Sequence, residues 1–371
     1  MDGESYVFAG GGTGGHLFPG IAVASALREL RPDARIVFFT TNRPLDGELL
    51  GKTPFERMPQ SVQPFTMKPW RFPAFFLHWR ASVEAARRWI RAHRPRAVLG
   101  LGGYAAGPPV HAARACGVRA AILNPDAIPG RANRYLASRV DRVALQWDVS
   151  RSYFSASAPC VVTGCPIRAE FRSPPPLAAA REKFGLDPRR PVLLVTGASQ
   201  GARTINEAMQ RVWPVFSSLH LDWQLLHLTG GAGAAEISRE YARAGVDARV
   251  LSFTHEMCAA LTAADVVVSR AGASTLAELT ALGRPSILLP YPYHKDRHQH
   301  ANGQVLVDAG AATMMDDLLD AAANAPRLLA ALGDLADDAR RANMAAAARS
   351  LGRPRAAVEI AEWLGGVSAA T

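Results

Sequence analysis

The chain opens with the stretch Tyr6-Val7-Phe8-Ala9-Gly10-Gly11-Gly12-Thr13-Gly14-Gly15-His16, in which a short apolar run leads directly into a glycine-rich loop. Apolar residues then recur at helical spacing from Phe18 to Leu30, so the order is strand, glycine loop, helix. Glycines let a backbone approach a ligand, and a helix N-terminus offers N–H groups to negative charge. A tight turn without a ligand explains the same residues, and both interpretations stay open.

Short apolar runs alternate with helix-like segments along the rest of the chain. The predicted strands are Tyr6 to Ala9, Ile36 to Thr40, Ala97 to Gly100, Ala120 to Leu123, Val161 to Thr163, Val192 to Thr196, Gln224 to Leu228, Arg249 to Leu251, Val266 to Ser269 and Ser286 to Leu289. This pattern is typical of parallel sheets covered by helices on both faces. A proline-rich segment between Thr163 and Pro191 interrupts it. The sequence therefore predicts two doubly wound α/β domains facing a cleft.

Length, composition and charge narrow the function classes. A chain of 371 residues with 49% hydrophobic residues suits two globular domains and excludes a disordered or collagen-like protein. The net charge of +10 favours contact with the phosphates of a nucleotide, a nucleic acid or an anionic membrane. Four cysteines without a C-x-x-C pair indicate reduced thiols. The acidic start, Met1 to Glu4, is unlike an export signal, so we expect no export. No stretch reaches the ~18 consecutive apolar residues of a membrane helix, so we expect no membrane span.

The glycine loops argue against two common nucleotide-binding classes. No acidic residue ends the second strand, Ile36 to Thr41, which disfavours a nicotinamide cofactor. A second loop, Gly197 to Arg203, has the same context, and its Ser199 hydroxyl and N–H groups suit a diphosphate. Neither loop continues into Lys-Ser or Lys-Thr, so a P-loop NTPase is disfavoured. Since metal-ligand spacing and Asp-x-Asp are also missing, we expect no obligatory metal and no cofactor.

Two polar segments follow predicted strands in the second half. In the segment Arg270 to Glu278, Glu278 is expected about one turn into a helix, where its oxygens can accept hydrogen bonds from a ribose diol. Taken alone, Glu278 is better explained as an ordinary helix carboxylate on the solvated face. The segment His294 to Gln299, with Asn302, follows a buried strand at the sheet edge where open sheets bind ligands. This cluster either lines a site or forms a solvated loop.

An aromatic and basic stretch in the first half has two interpretations. The aromatic residues Trp70, Phe72, Phe75, Phe76 and Trp79 precede Arg80 and further arginines as far as Arg94. Aromatic side chains with a basic flank suit insertion at the surface of an anionic bilayer. A core helix with a solvated arginine face fits as well. Nucleic acid is not expected, because no recognisable nucleic-acid module accompanies the stretch.

Taken together, the motifs resemble those of the MurG family, peripheral membrane transferases that add N-acetylglucosamine to lipid I in peptidoglycan synthesis. The motifs are Gly11 to Gly20, Gly102-Gly103-Tyr104, Gly197 to Ala202, Arg270 to Glu278 and His294 to Arg297. The resemblance spans nearly the whole chain, in order. It implies a GT-B fold of two Rossmann-like domains. Residues 1–163 would bind the acceptor and the membrane, joined by a C-terminal helix from about 346–371, and residues 164–345 would bind the UDP-sugar.

The resemblance also implies roles for individual residues. Ser199 and Arg168 would contact the diphosphate, Glu278 the ribose, and Thr254 would lie beside the uracil. The full set implied to bind UDP-N-acetylglucosamine is Thr13, Gly14, Gly15, Asp126, Arg168, Ser199, Thr254, Ala273, Ser274, Thr275, Glu278, Gln299 and Asn302. The aromatic and basic stretch is similar to the family's membrane-docking patch, so we expect a peripheral location on the cytoplasmic face of the plasma (inner) membrane.

His16 is the candidate general base, because an imidazole accepts a proton near neutral pH, although a residue that merely orders the loop is equally consistent. The chain departs from the family at Leu123-Asn124-Pro125-Asp126, where His-Glu-Gln-Asn is usual, and at Cys165 and His298. These changes permit two alternatives. One is a glycolipid synthase with another acceptor, and the other is a catalytically silent homologue that binds UDP-sugar. A UDP-sugar epimerase is a weaker variant.

Overall fold

A computed structural model describes residues 4–64, 68, 70, 72–197, 201–231, 233–293 and 296–366. The chain divides into two compact units of similar internal density. Unit 1 comprises the described residues up to Ala169 and those from Pro354 onward, and unit 2 runs from Glu170 to Arg353. The sequence led us to expect a division after residue 163 and a return at about 346. In the structure the first boundary lies after Ala169, in the 3-10 turn Ala169–Arg172, six residues further along. The return lies at Pro354, between the helices Asp338–Leu351 and Ala356–Leu364, eight residues further along.

Unit 1 is built on a sheet in which all seven strands are parallel. Its strands are β1 (Ser5–Gly10), β2 (Arg35–Thr40), β3 (Glu56–Pro59), β4 (Ala97–Gly102), β5 (Arg119–Asn124), β6 (Arg142–Leu145) and β7 (Cys160–Val162). Their order is β3-β2-β1-β4-β5-β6-β7, so the first strand is central. Val7 pairs with Val37 on one side and Val98 on the other. The loop that follows β1 therefore lies at the middle of the carboxyl edge.

Helices cover both faces of this sheet. They are α1 (Gly14–Leu30), α2 (Pro44–Leu50), α3 (Phe72–His93), α4 (Gly107–Ala115) and α5 (Arg131–Leu136), with shorter 3-10 turns at Tyr104–Ala106, Ala137–Arg139 and Asp148–Tyr153. Because side chains alternate along a strand, Tyr6 and Phe8 of β1 pack in one core layer and Val7 in the other. Trp89 of α3 packs in the second layer. The sheet is thus buried on both faces.

The last helix of the chain belongs to unit 1. This helix, α14 (Ala356–Leu364), buries Ile360 and Leu364 in the same core layer as α1. Its Trp363 ring lies beneath two guanidinium groups, with the carbon of Arg119 4.5 Å and that of Arg142 5.2 Å from the ring centroid. Apolar burial and cation–π contacts together attach the returning segment to unit 1.

Unit 2 is built on a second parallel sheet, with six strands. Its strands are β8 (Val192–Thr196), β9 (Gln224–Leu228), β10 (Arg249–Leu251), β11 (Val266–Ser269), β12 (Ser286–Leu288) and β13 (Ala312–Met314). Their order is β10-β9-β8-β11-β12-β13, so the strand that precedes the second glycine loop is again central. The loops after β8, β9, β10, β11 and β12 consequently share one carboxyl edge.

The helices of unit 2 complete a second doubly wound arrangement. They are α6 (Leu177–Glu182), α7 (Arg203–Leu219), α8 (Ala234–Arg243), α9 (Met257–Ala263), α10 (Ala273–Leu282), α11 (His298–Asp308), α12 (Ala321–Asp334) and α13 (Asp338–Leu351). Met209 and Trp213 of α7 pack with Leu328 of α12 on Leu193 and Val195 of the central strand. The alanine-rich end of the chain forms the three helices α12, α13 and α14.

Candidate active site

The first glycine loop is held by a buried aspartate that the sequence did not single out. Asp46, on α2, is 0% exposed, and its carboxylate accepts hydrogen bonds from the Gly12 N–H at 2.8 Å and the Thr41 hydroxyl at 2.6 Å. Gly11 has a φ of +150°, and a Cβ there would lie 2.4 Å from Asp46 Oδ2. Arg43 donates to the Gly12 carbonyl at 2.9 Å. Glycine at position 11 is therefore required by this packing as well as by backbone conformation.

His16 lies in the first turn of α1, where this loop positions its ring. Its Nδ1 is 3.1 Å from the Thr13 hydroxyl oxygen and 3.4 Å from the Gly11 carbonyl oxygen. Gly102 and Gly103, which both have positive φ, lie against the other side of the ring. A Cβ at Gly102 would be 3.1 Å from His16 Cδ2, and one at Gly103 would be 3.3 Å from Cε1. The Gly102-Gly103 pair therefore makes room for the imidazole.

Thr13, Gly14 and Gly15 lie at the start of the same helix. Thr13 is the N-cap residue and has extended backbone angles, and its carbonyl accepts from the His16 and Leu17 N–H groups at 3.2 and 3.3 Å. The first turn of α1 contains no acidic residue. The positive end of the helix dipole is thus available to an anionic or polar ligand.

The altered turn Leu123–Asp126 is stabilised by two side-chain amides, one within the turn and one on α5. The Asn124 amide donates to the Asp126 carbonyl at 2.8 Å, and the Asn133 amide donates to the Leu123 carbonyl at 2.7 Å. Asn124 is buried, whereas the Asp126 residue is partly exposed. A narrow crevice beside this turn has a mostly apolar lining, formed by Gly15, Pro19, Leu101, Leu123, Asn124, Pro125, Ala144, Gly164, Cys165 and Pro166. Four positions where the chain departs from the family thus line one crevice: Leu123, Asn124, Pro125 and Cys165.

Arg168 follows β7 and lies near the end of unit 1. It is partly exposed, and it comes after a loop in which Gly164 has a φ of +87°. The N–H groups of Thr163 and Gly164 both donate to the Leu145 carbonyl, at 3.0 and 3.1 Å. The backbone that leads to Arg168 is thereby fixed at the carboxyl edge of sheet β1–β7.

In unit 2, the start of α10 presents several of the predicted donor-binding residues. Gly272 is the N-cap residue, and Ala273, Ser274 and Thr275 form the first turn, which contains no acidic residue. Glu278 lies one turn further along and is partly exposed. The N–H groups of a first helical turn have no acceptor within the helix, so this end attracts phosphate.

The second glycine loop is defined only at its two ends, because Ser199 and its neighbours 198 and 200 lie outside the described residues. A Cβ at Gly197 would be 2.1 Å from the Ala202 nitrogen, and one at Gly201 would be 2.2 Å from the Thr229 carbonyl oxygen. Gly201 also has a φ of +73°. These contacts bring the loop after β8 against the end of β9.

The other predicted donor-binding residues of unit 2 follow β10 and β12. The Thr254 hydroxyl accepts from the Glu256 N–H at 3.0 Å, immediately before α9. The Gln299 side-chain oxygen accepts from the Tyr291 N–H at 2.9 Å. Asn302 is fully buried. His294 and Lys295 lie outside the described residues, while His298 is partly exposed, with its Nδ1 2.7 Å from Asp296 Oδ1.

A buried ion pair supports this edge of unit 2, and sequence reasoning missed it. Arg270 Nη1 is 2.8 Å from Asp317 Oδ2 and also donates to the Leu289 carbonyl at 3.0 Å. Burial raises the pKa of Asp317, but hydrogen bonds from the Thr204 hydroxyl, a backbone N–H, Arg270 and Asn324 outweigh burial, so the pKa lies below its usual value. The pair joins the loop before α10 to the segment after β13, and Thr204 at the start of α7 hydrogen-bonds to both side chains.

The aromatic and basic stretch forms α3 and divides into two halves. In the C-terminal half, Trp89 and Ile90 are buried in the core. In the N-terminal half, Phe76 is 57% and Leu77 69% exposed, and Trp70, just before the helix, is 74% exposed. The aromatic patch comprises Trp70, Phe72, Phe75, Phe76, Leu77, Trp79 and Arg80, of which Trp70, Phe76, Leu77 and Arg80 are exposed and the others partly so. The C-terminal half of α3 is therefore a core helix, and the N-terminal half leaves aromatic and apolar side chains exposed.

Contacts at the base of the aromatic patch hold it in place. The Phe75 ring centroid lies 5.5 Å from that of Phe76 and 6.1 Å from that of Trp79. A Cβ at Gly107 would lie 2.5 Å from the Trp79 ring.

None of the described helices has both the length and the apolar character needed to cross a membrane. No group of three or more His, Cys, Asp or Glu in the described residues is placed to hold a metal ion.

Comparison with known proteins identifies the family. Residues 6–145 match the glycosyltransferase family 28 N-terminal domain, and residues 192–360 match the C-terminal domain of the same family. The UDP-N-acetylglucosamine--N-acetylmuramyl-(pentapeptide) pyrophosphoryl-undecaprenol N-acetylglucosamine transferase of Desulforudis audaxviator (strain MP104C) is 38% identical over 359 residues, covering 94% of this chain and 95% of that protein. The enzyme of the same name from Prosthecochloris aestuarii is 36% identical over 370 residues, with 98% of both chains covered.

Solved structures agree. The crystal structure of Acinetobacter baumannii MurG superposes with a TM-score of 0.80 at 25% identity, covering 98% of this chain and 99% of that one. The GT-B fold class of two parallel-sheet α/β domains, predicted from the motifs, is thereby confirmed. With family models matched in both units and relatives above 35% identity along nearly its whole length, the chain belongs to the MurG family of glycosyltransferases.

Proposed function

We propose that this chain transfers N-acetylglucosamine from UDP-N-acetylglucosamine to the C4 hydroxyl of the N-acetylmuramyl unit of lipid I, giving lipid II for peptidoglycan synthesis. The observation that carries the proposal is the 38% identity along 95% of a relative that bears this enzyme name. The geometry of the two glycine-rich edges supports it. Unit 2 would bind the donor and unit 1 the acceptor.

The reaction inverts the configuration at C1 of the transferred sugar. The acceptor oxygen forms a bond to C1, the bond between C1 and the diphosphate oxygen breaks, and UDP leaves with the electron pair. His16 accepts the hydroxyl proton, because its ring is fixed by Thr13 and by the Gly11 carbonyl. Of the residues implied to bind the donor, Arg168 and Ser199 would stabilise the charge that develops on the diphosphate.

The N–H groups at the start of α10 would contribute to the same stabilisation, since helix N-termini favour developing negative charge. Glu278 would accept hydrogen bonds from the ribose hydroxyls. Thr254 would lie beside the uracil, and Gln299 with Asn302 would contact the N-acetylglucosamine. Asp126, the acidic residue of the altered turn, would accept a hydrogen bond from a sugar hydroxyl.

Release of UDP from UDP-N-acetylglucosamine, with and without a lipid I analogue, tests the proposal. The wild type is compared with Glu278→Ala and with Glu182→Ala, a matched variant at an exposed carboxylate on α6. We expect release that requires the analogue, that falls about 100-fold in Glu278→Ala and that stays unchanged in Glu182→Ala. Donor binding without release on any lipid I analogue would overturn the assignment and indicate another acceptor or a silent homologue.

We also propose that unit 1 docks peripherally on the cytoplasmic face of the plasma membrane through the aromatic patch. The exposed side chains of Trp70, Phe76 and Leu77 supply apolar area for insertion between lipid headgroups. Exposed arginines further along α3, such as Arg80 and Arg88, supply positive charge toward anionic lipids. Docking there would hold unit 1 at the surface in which a polyprenyl-linked acceptor resides.

A further inference from the structure

The buried carboxylate of Asp46 accepts several hydrogen bonds beneath the first glycine loop. Its Oδ2 accepts from the Thr41 N–H at 3.0 Å and from the Thr41 hydroxyl at 2.6 Å, and both its oxygens accept from the Gly12 N–H, at 2.8 and 3.1 Å. A fully buried carboxylate is costly unless several donors compensate it. Three donors from two segments converge on Asp46, so its position is tightly determined.

One peptide group connects this carboxylate with His16. The Gly12 N–H and the Gly11 carbonyl belong to the same peptide unit, and in a planar trans peptide they point to opposite sides. On one side the N–H binds Asp46, and on the other the carbonyl oxygen lies 3.4 Å from His16 Nδ1. The contacts form a continuous chain from the carboxylate, through the peptide, to the imidazole.

The direction of this chain determines which nitrogen of His16 carries the proton. A carbonyl oxygen only accepts hydrogen bonds, so the Gly11 contact requires Nδ1 to be the donor. In a neutral imidazole protonated at Nδ1, the lone pair that a base needs is on Nε2. The Thr13 hydroxyl, also beside Nδ1, can donate or accept and does not select a tautomer. A carboxylate on the N–H side polarises the peptide and strengthens its carbonyl as an acceptor.

We propose that Asp46 is a positioning residue that holds His16 in the Nδ1–H tautomer through the Gly11–Gly12 peptide. The peptide takes the place that a direct carboxylate contact has in other histidine bases, where the carboxylate orients the ring and fixes the tautomer. Its catalytic consequence rests on the proposed function, in which Nε2 of His16 takes the acceptor proton. The tautomer itself does not depend on any substrate.

The surroundings of the loop are consistent with this assignment. A Cβ at Gly11 would be 2.4 Å from Asp46 Oδ2, so only glycine lets the carboxylate reach the peptide. Arg43 donates to the Gly12 carbonyl, the next one along, and not to that of Gly11. The β4 turn presents Gly102 and Gly103 to the ring and no charged side chain. Within the described part of the loop, Asp46 is thus the acidic group placed to act on the Gly11–Gly12 peptide.

The test has a spectroscopic part and a kinetic part. Histidine is labelled with ¹⁵N in the full chain, the signals missing from His16→Gln assign the ring of His16, and two-bond ¹⁵N–¹H correlations report its tautomer. The variant is Asp46→Asn, which keeps the shape but removes the charge and one acceptor. The matched control is Asp141→Asn, in the same unit, whose Oδ2 accepts from the Ala120 N–H at 2.8 Å at the opposite edge of the sheet.

We expect the Nδ1–H tautomer in the wild type and in Asp141→Asn, and a mixture or the Nε2–H tautomer in Asp46→Asn. Turnover with a lipid I analogue should fall about 10- to 100-fold in Asp46→Asn, with KM for UDP-N-acetylglucosamine within about twofold of the wild type. A wild-type His16 in the Nε2–H tautomer overturns the proposal even if Asp46→Asn fails to fold. An unchanged tautomer in a folded Asp46→Asn overturns it as well. A shifted tautomer with undiminished kcat supports the coupling and instead refutes His16 as the base in the proposed function.

Discussion

Lowering the pH from 7 to 5 should destabilise unit 2 through one buried histidine, His227 of β9. His227 is 0% exposed, with Nδ1 3.0 Å from the Tyr241 hydroxyl and Nε2 3.1 Å from the side-chain oxygen of Asn206. The Asn206 oxygen accepts from Nε2–H, so the Tyr241 hydroxyl is left to donate to Nδ1. The neutral ring is thereby satisfied, and burial lowers the pKa of His227 from 6.5 to about 3.

The sign and size of the effect follow from the two pKa values. The folded-state pKa lies below that of the unfolded chain, so as the pH falls the unfolded state takes up a proton first. The contribution of the neutral His227 to the free energy of unfolding is therefore fully present above about pH 6.5. It is lost progressively as the pH falls from about 6.5 to about 3. A pH of 5 lies about 1.5 units below the ordinary pKa of 6.5 that the imidazole has in the unfolded chain. At about 1.36 kcal/mol per unit, the free energy of unfolding falls by about 2 kcal/mol.

A comparison with His227→Gln isolates this contribution, because other groups titrate identically in both proteins. Unfolding in urea is followed at pH 7 and pH 5 by pulsed hydrogen exchange and mass spectrometry of a peptide that contains β9, which reports unit 2 separately. The wild type should lose about 2 kcal/mol more than His227→Gln between the two pH values. Equal losses would mean that His227 is protonated inside the fold, and the argument from burial would be wrong.

Two further predictions concern the candidate site and the membrane. Gly102→Ala, which places a Cβ 3.1 Å from the His16 ring, should lower turnover about tenfold or more, whereas Gly117→Ala, at a similar φ of +68° with open space around it, should not; equal loss in both would indicate backbone strain alone. Phe76→Ser removes exposed apolar area from the aromatic patch and should weaken co-sedimentation with vesicles containing anionic phospholipid about tenfold. The control Leu221→Ser, at a side chain that is 80% exposed in unit 2, should leave co-sedimentation unchanged. Equal weakening by both substitutions would exclude the aromatic patch as a specific docking site.

The strands that the sequence predicts best are those buried on both faces. Val192–Thr196 is a continuous apolar run, and its predicted and observed bounds are the same. The missed strands Glu56–Pro59 and Ala312–Met314 lie at sheet edges, and Arg142–Leu145 lies inside the first sheet. An edge strand needs only one partner and less apolar surface, so its signal is weak, although the edge strand Arg249–Leu251 was predicted with its observed bounds. The internal strand is four residues long, too short for a clear periodicity.

The candidate site could be predicted only where its residues are neighbours in sequence. The loop that contains His16 and the helix that contains Glu278 follow strands directly, so strand, loop and helix signals identify both. Asp46 reaches the loop from 34 residues away, and Asp317 reaches Arg270 from 47. Nothing local in the sequence shows that the side chain of Asp46 points inward. Such pairs depend on which strands are adjacent, which only the sheet order supplies.

The structure gives a different reason for the glycines of these loops. From the sequence, the glycine loops that contain Gly11 and Gly201 were expected to approach a ligand, whereas Gly102 was only part of a family motif. In the structure each has positive φ, and a Cβ on each would approach an atom of the protein itself: Asp46 Oδ2 at 2.4 Å, the Thr229 carbonyl oxygen at 2.2 Å and the His16 ring at 3.1 Å. The loops are therefore shaped by internal packing before any substrate binds. A loop fixed in this way has less conformational entropy to lose when a diphosphate or sugar enters. On this argument a substitution at any of the three glycines should damage turnover through the loop's resting shape, even where the added methyl group never meets the substrate.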